Sequence, residues 1–326
     1  MQDFTILVVP GAYATSVAVT QNMLQATAAL APRLKLPQPR WRVVSPDGGP
    51  VPLSGGLVIE TVRMPMRASA DASTWIVPGL GVESPLDMVS RFSNQACVKA
   101  ASSLRRHVEG GGPVAASCSG VFLLQTAGLL QGRRATTSWW LASELRRLQP
   151  DCEVDADRMV VSDGLVTTAG AAFAHSDLML HLLRARCSPG LADAVGKVLL
   201  IDGRQAQSRF VVPSMLANGN ELIGRLTQFI ESALPNPPTI GELADAFAMS
   251  HRTLSRHVHA ATGQGPLALI QAVRLNRARL LIENSRMSVE QVAQEVGYGD
   301  ATALRRLVRQ ATGVNPSAFR SGATWR

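Results

Sequence analysis

Apolar residues fall along this chain in two rhythms. In the first part they form short unbroken runs closed by turn residues, and towards the end they recur at the three- and four-residue spacing of helices. Residues 5–9, ended by Pro10-Gly11, read as a strand buried on both faces, the pattern of a parallel sheet. Residues 16–31 read as a helix stopped near Pro32, 41–45 as a second strand, and 46–56 as loop. Residues 74–77 with Pro78-Gly79 repeat the strand-and-turn pattern, and 85–108 read as one long helix. After the break at Gly110-Gly111-Gly112-Pro113 come a strand at 114–117, a tight turn at 118–120 and a helix at 121–130. Strands at 159–161 and 165–168 precede a helix at 173–185.

Strands alternating with helices predict an α/β domain, a parallel, flavodoxin-like sheet with helices on both faces, over residues 1–201. Residues 202–235 read as a linker with one helix at 222–234, either the entry to the last domain or a signal-carrying connector. Loop is expected at Pro213 and Asn218-Gly219-Asn220.

Residues 236–326 carry one helical device twice. Leu254/Leu304, Arg256/Arg306 and Pro266/Pro316 stand 50 residues apart, while Ala244/Ala293 stand 49 apart, so the second copy holds one more residue in its turn. Each copy begins with a capping box, Thr239 with Glu242 and Ser288 with Gln291. Ser250 and Asp300 are placed to cap the second helices, and Gly263 and Gly313 to end them. Pro266 suits the first turn of a long joining helix that carries Arg274, Arg277 and Arg279. Two helices joined by a short turn, the second exposing arginine, form a helix-turn-helix pattern. A helical bundle with a polar face is the alternative, and the matched arginines of the two copies favour the DNA reading.

Charge sharpens this picture. The 326 residues carry a net charge of +8, and from residue 236 onward eleven arginines stand against six carboxylates, a net +5. A basic small domain fits a phosphate-bearing partner. No apolar run is long enough to cross a bilayer, and the opening Met1-Gln2-Asp3-Phe4 lacks the basic stretch of a secretory signal, so a cytoplasmic protein without a membrane partner is expected. Cys97, Cys118, Cys152 and Cys187 stand far apart, which predicts reduced thiols and neither a zinc site nor another cofactor.

Cys118 lies where a buried strand meets a helix, among the small residues Ala116, Ser117, Ser119 and Gly120. Such neighbours fit a sharp elbow that presents one side chain, and a helix N-terminus favours thiolate. The thiol is thus a nucleophile, a group lining a ligand pocket, or a small apolar residue packed beneath the turn.

Residues Ile76-Val77-Pro78-Gly79, Ser117-Cys118-Ser119-Gly120 and Ala127 to Thr137 resemble the PfpI-type, glutamine-amidotransferase-like domain, continued by Thr167-Thr168-Ala169-Gly170 and Asp177 to Leu182. The resemblance implies an elbow cysteine assisted by a histidine and an acid. Here Ser138 stands where the family's Thr-Thr-His-Trp has its histidine, and Ser16 stands near the place of the acid. A serine takes no proton from a thiol near neutral pH. The expectation is a retained fold without catalysis, with Ser16, Gly79, Cys118, Ser119 and Ser138 lining a pocket for a small effector.

The C-terminal segment resembles the AraC/XylS-type DNA-binding domain, including Gly297-Tyr298 and Ala318-Phe319-Arg320. The resemblance implies that both second helices enter successive major-groove segments. Ser250, His251, Arg252, Ser255 and Arg256 then form the first reading surface, and Ala301, Thr302, Arg305 and Arg306 the second. Together the two resemblances imply an operator-binding regulator, an activator by family habit, that meets RNA polymerase and answers a small amine or amino-acid derivative. A homodimer is expected through the first domain, on an operator with two half-sites. The alternatives are a cysteine-dependent hydrolase or hydratase and a redox-sensing regulator acting through Cys118.

Overall fold

Strand β1 (Phe4–Leu7) is wholly buried because both of its faces are covered. In the run it begins, Phe4, Ile6 and Val8 join one apolar cluster, and Leu7 and Val9 join another on the opposite side of the sheet. This period-two division organises the first of two units into which the chain separates, residues 1–207 and 208–326. The computed structural model describes residues 3–65, 72–81, 88–204, 207, 221–262, 264–312 and 315.

The other sheet strands are β2 (Trp41–Ser45), β3 (Gly49–Pro52), β4 (Val58–Arg63), β5 (Thr74–Val77), β6 (Val114–Ser117), β9 (Val160–Asp163) and β10 (Val166–Ala169). Among the described residues they make an eight-stranded sheet in the order β3-β4-β2-β1-β5-β6-β10-β9. The six inner strands run parallel, and β3 and β9 pair antiparallel at the two edges. Helices α1 (Ala14–Leu30), α6 (Ala174–Arg186) and α7 (Pro189–Val198) cover one face. Helices α2 (Met88–Phe92), α3 (Gln95–Glu109), α4 (Val121–Thr126) and α5 (Ala142–Leu148) cover the other. A two-stranded ribbon, β7 (Arg134–Ala135) with β8 (Glu153–Val154), stands apart.

The structure corrects several expected boundaries. The stretch expected as loop at 46–56 contains β3, which carries Pro50 and Pro52; a strand paired on one side only leaves its other edge free of the ladder, where proline is tolerated. The single helix expected from 85 is two, because Asn94 begins a new one by accepting the Cys97 amide at 3.0 Å. Its expected start at Pro85 lies outside the described residues. Helix α4 ends at Thr126 rather than at 130.

The second unit begins its described part with α8 (Glu221–Ser232), whose Ile223, Leu226 and Ile230 share an apolar cluster with Leu243, Leu254, Val258 and Val273. Then follow α9 (Ile240–Ala246), α10 (His251–Thr262), α11 (Pro266–Asn284), α12 (Val289–Glu295) and α13 (Ala301–Thr312). A second cluster gathers Ala278, Ile282, Val292, Ala293, Leu304 and Val308. Long α11 contributes to both, so one helix spaces two small cores. Gly263, Gly313, Pro316, the loop at Pro213 and 218–220, and Ala318-Phe319-Arg320 lie outside the described residues.

Candidate effector site and nucleic-acid interface

Cys118 sits at the elbow between β6 and α4 with φ at 55°, the left-handed region that a non-glycine residue enters at a cost of about 1–3 kcal/mol. Its neighbours hold it there. The Cys118 amide donates to Gly170 O at 2.7 Å, and its carbonyl accepts from Thr137 Oγ1 at 2.8 Å. Ser119 Oγ donates to Leu80 O at 2.6 Å and accepts the Leu80 amide at 2.8 Å, which ties the turn to the segment that follows β5. Ser138 Oγ donates to Cys118 Sγ at 3.1 Å. At Gly79 a side chain would be tight, since a Cβ there would stand 3.0 Å from Cys118 Cβ and 3.2 Å from the Tyr13 ring. The structure therefore brings Gly79, Cys118, Ser119 and Ser138 together.

Burial pushes the Cys118 thiol above its usual pKa, and the hydrogen bonds from Ser138 and Ser119 offset only part of that. A neutral, enclosed thiol is a poor nucleophile.

Ser16 lies in the first turn of α1, 1% exposed, with its Oγ unpartnered. A buried chain of hydrogen bonds runs from its backbone. Thr20 Oγ1 donates to Ser16 O at 2.9 Å and lies 2.6 Å from His175 Nε2, while His175 Nδ1 lies 2.7 Å from Ser117 Oγ. Because the Thr20 proton is committed to Ser16 O, Nε2 carries the imidazole proton and Nδ1 accepts from Ser117. Burial holds His175 neutral, its pKa pushed down to about 4. Both ring nitrogens are thus engaged by Thr20 and Ser117, away from Cys118. Sequence reasoning passed over Tyr13, Thr20 and Gln207; Thr20 is one of three buried hydroxyl residues on α1, with Ser16 and Thr27, so its place there carried no signal.

In the second unit both capping boxes form. Thr239 accepts the Glu242 amide at 3.2 Å, and Ser288 accepts the Gln291 amide at 3.1 Å. Ser250 Oγ accepts the Thr253 amide at 3.1 Å, and Asp300 accepts the Thr302 amide at 2.8 Å, which holds its carboxyl below the usual range. The turn of the first copy passes through Ala248 at φ 53° and that of the second through Gly297 at φ 78°, 49 positions on. The extra residue of the second copy therefore falls after this left-handed position and before the cap. Arg274 of α11 braces that turn, donating to Val296 O at 2.8 Å and Gly297 O at 2.7 Å, with its guanidinium 3.5 Å from the Tyr298 ring centre.

On α10, His251, Arg252 and Arg256 are exposed and Ser255 is half-buried; on α13, Thr302, Arg305 and Arg306 are exposed. Ala301 departs from the expected reading surface. It is 8% exposed and packs in the second cluster with Leu304 and Val308, because the first turn of α13 docks it inward. Arg305 is ion-paired with Glu290 of α12, so its charge is partly spoken for.

Among the described residues no group of three His, Cys, Asp or Glu could hold a metal ion, and no helix is long and apolar enough to cross a membrane.

Comparison with known proteins agrees with both units. Residues 26–185 match the DJ-1/PfpI family and residues 243–322 match a helix-turn-helix domain. The chain thus joins a DJ-1/PfpI domain to an AraC-type helix-turn-helix domain, the make-up of a DNA-binding transcriptional regulator. It is 27% identical over 323 residues to the HTH-type transcriptional regulator CdhR of Pseudomonas aeruginosa, covering 98% of this chain and 92% of that one. It is 24% identical over 285 residues to the regulator GlxA of Rhizobium meliloti, covering 85% of each. A crystal structure of an AraC family transcriptional regulator from Pseudomonas putida shares the fold, with a TM-score of 0.50 and 18% identity over 61% of this chain and 100% of that one.

Proposed function

We propose that the chain is an effector-responsive activator in which residues 1–201 sense a small molecule, 202–235 connect, and 236–326 read DNA. The observation that carries the DNA half is the pair of capped helix-turn-helix units with Arg256 and Arg306 exposed at equivalent positions. Within one half-site, His251, Arg252, Ser255 and Arg256 read one major-groove segment, and Thr302, Arg305 and Arg306 the next. Arginine can give two hydrogen bonds to guanine or reach phosphate. Ser250 stays on the interface as a cap.

The effector site is formed by Gly79, Cys118, Ser119 and Ser138, with Ser16 as a further donor. A buried hydroxyl with no partner is costly, and a ligand that pairs with Ser16 recovers that cost. Catalysis is lost: Ser138 supplies no base, His175 is engaged elsewhere, and the Cys118 thiol stays protonated. The same protonation weighs against a peroxide sensor. The active form is a cytoplasmic homodimer held through the first unit, and it contacts RNA polymerase.

Selection of genomic fragments by the purified chain, followed by footprinting, tests this reading. It predicts protected segments about one helical turn apart within each half of the operator. Affinity that changes with small amines or amino-acid derivatives in wild type, and loses that response in Cys118→Ser, supports the effector site. A response to peroxide alone moves the reading to redox sensing.

A further inference from the structure

The closing segment of the first unit is fastened to that unit by two side chains. The backbone amide of Arg204 donates to Asp177 Oδ1 at 2.7 Å, and its guanidinium grips Asp177 Oδ2 at 3.0 and 2.6 Å. Asp177 itself is half held by burial, which pushes its pKa up while Arg204 pulls it down.

Three residues on, the Gln207 side chain is 1% exposed. Its Nε2 donates towards Thr137 O at 2.8 Å, Ala156 O at 3.1 Å, Arg158 O at 3.2 Å and Thr136 Oγ1 at 3.3 Å. Its Oε1 accepts the Ala171 amide at 3.1 Å, and its own backbone amide donates to Asp157 O at 2.6 Å. An amide surrounded this way is stable only while those groups keep their positions, because a buried amide without partners is expensive.

Two of the segments that surround it also hold Cys118. Thr137 donates to the Cys118 carbonyl, and the next residue, Ser138, donates to its thiol. Gly170 accepts the Cys118 amide, and the Gln207 amide carbon packs so close to Gly170 that a Cβ there would stand 2.3 Å from it. One side chain thus touches two of the segments that fix the elbow, at the end of the first unit.

We infer that Gln207 is the output latch of the Cys118 site. An occupant that displaces Thr137-Ser138 removes the Thr137 carbonyl from Gln207 Nε2, and one that displaces Gly170-Ala171 removes the Ala171 amide from its Oε1; either unseats the side chain and frees the chain that leads to the second unit. This rests on the reading of Cys118 as the effector site. By linkage the coupling is reciprocal, so unseating Gln207 loosens the elbow.

The full chain is used, with no effector required. In one arm the rate of iodoacetamide labelling is followed for each cysteine by peptide mass spectrometry. Gln207→Met, which fills the same space without donors or an acceptor oxygen, and Gln207→Ala are expected to speed labelling of Cys118 about tenfold, within the usual range of site coupling. Cys97 and Cys152 keep their wild-type rates. In the other arm Ser138→Phe stands in for an occupant and is expected to speed tryptic cleavage after Arg204 by about the same factor. Wild-type behaviour of Cys118 in both Gln207 variants, or of the Arg204 bond in Ser138→Phe, overturns the latch. So does parallel acceleration of all cysteines, which makes Gln207 a plain structural residue. Failure of the effector reading shows separately, as operator affinity indifferent to small molecules while the latch experiments succeed.

Discussion

Ser138 Oγ donates a hydrogen bond to Cys118 Sγ at 3.1 Å, at the place where a base would be needed to activate the thiol. The contact solvates the sulfur without removing its proton. Cys118 labelling by iodoacetamide should therefore be slow at neutral pH and still rising above pH about 9, the ordinary range of a free thiol being lower. Ser138→Ala removes a stabilising donor and should move the profile further up. A plateau reached below pH 7 contradicts this assignment.

His175 supplies a pH dependence with a definite sign. Its folded pKa is about 4, below the 6.5 of an exposed histidine, so between these values the unfolded chain binds a proton that the folded chain does not. Stability from this group is complete above pH 6.5 and declines as pH falls towards 4, by up to about 3 kcal/mol. Denaturant unfolding of the full chain at pH 7 and pH 5 should show the first unit weakening, and His175→Gln should flatten that difference.

The second helix-turn-helix turn depends on Gly297. It has φ at 78°, and a Cβ there would stand 2.2 Å from Pro235 O. Gly297→Ala should destabilise the second unit by more than about 1 kcal/mol, whereas Ala248 already tolerates the equivalent left-handed position in the first copy. Ser288→Ala should cost about 1 kcal/mol through the lost cap. Thermal unfolding followed by circular dichroism separates the two effects from wild type.

What the sequence made legible was whatever local chemistry decides. Strands β2 and β6 were read at their observed bounds, because unbroken apolar runs closed by turns have few other uses. The capping boxes were legible because Thr239 and Ser288 meet their partners three residues away. Strand β3 was hidden by its prolines, and the break at Asn94 by the apolar rhythm that continues through it. At the site, Cys118, Ser119 and Ser138 could be located from their motifs. Tyr13, Thr20 and Gln207 reach the site by long-range hydrogen bonds, and no local pattern announces those. Ala301 was misplaced because helical position alone does not tell a groove-facing alanine from a core one.

The two arginines of the second reading helix should contribute unequally. Arg305 must leave Glu290 to reach DNA, so Arg305→Ala should weaken operator binding less than Arg306→Ala does. Titration of both variants on one selected operator checks the order.

Operator affinity of Arg256→Ala and Arg306→Ala, at fixed salt and with footprints, tests the central claim most directly. Both arginines are exposed at matching positions of α10 and α13. Each substitution should weaken binding by about 1–3 kcal/mol if the side chain reads a base, and each should relax selectivity in its own half of the protected segment. Wild-type affinity and an unchanged footprint in both variants would contradict a regulator that reads DNA through two repeated heads.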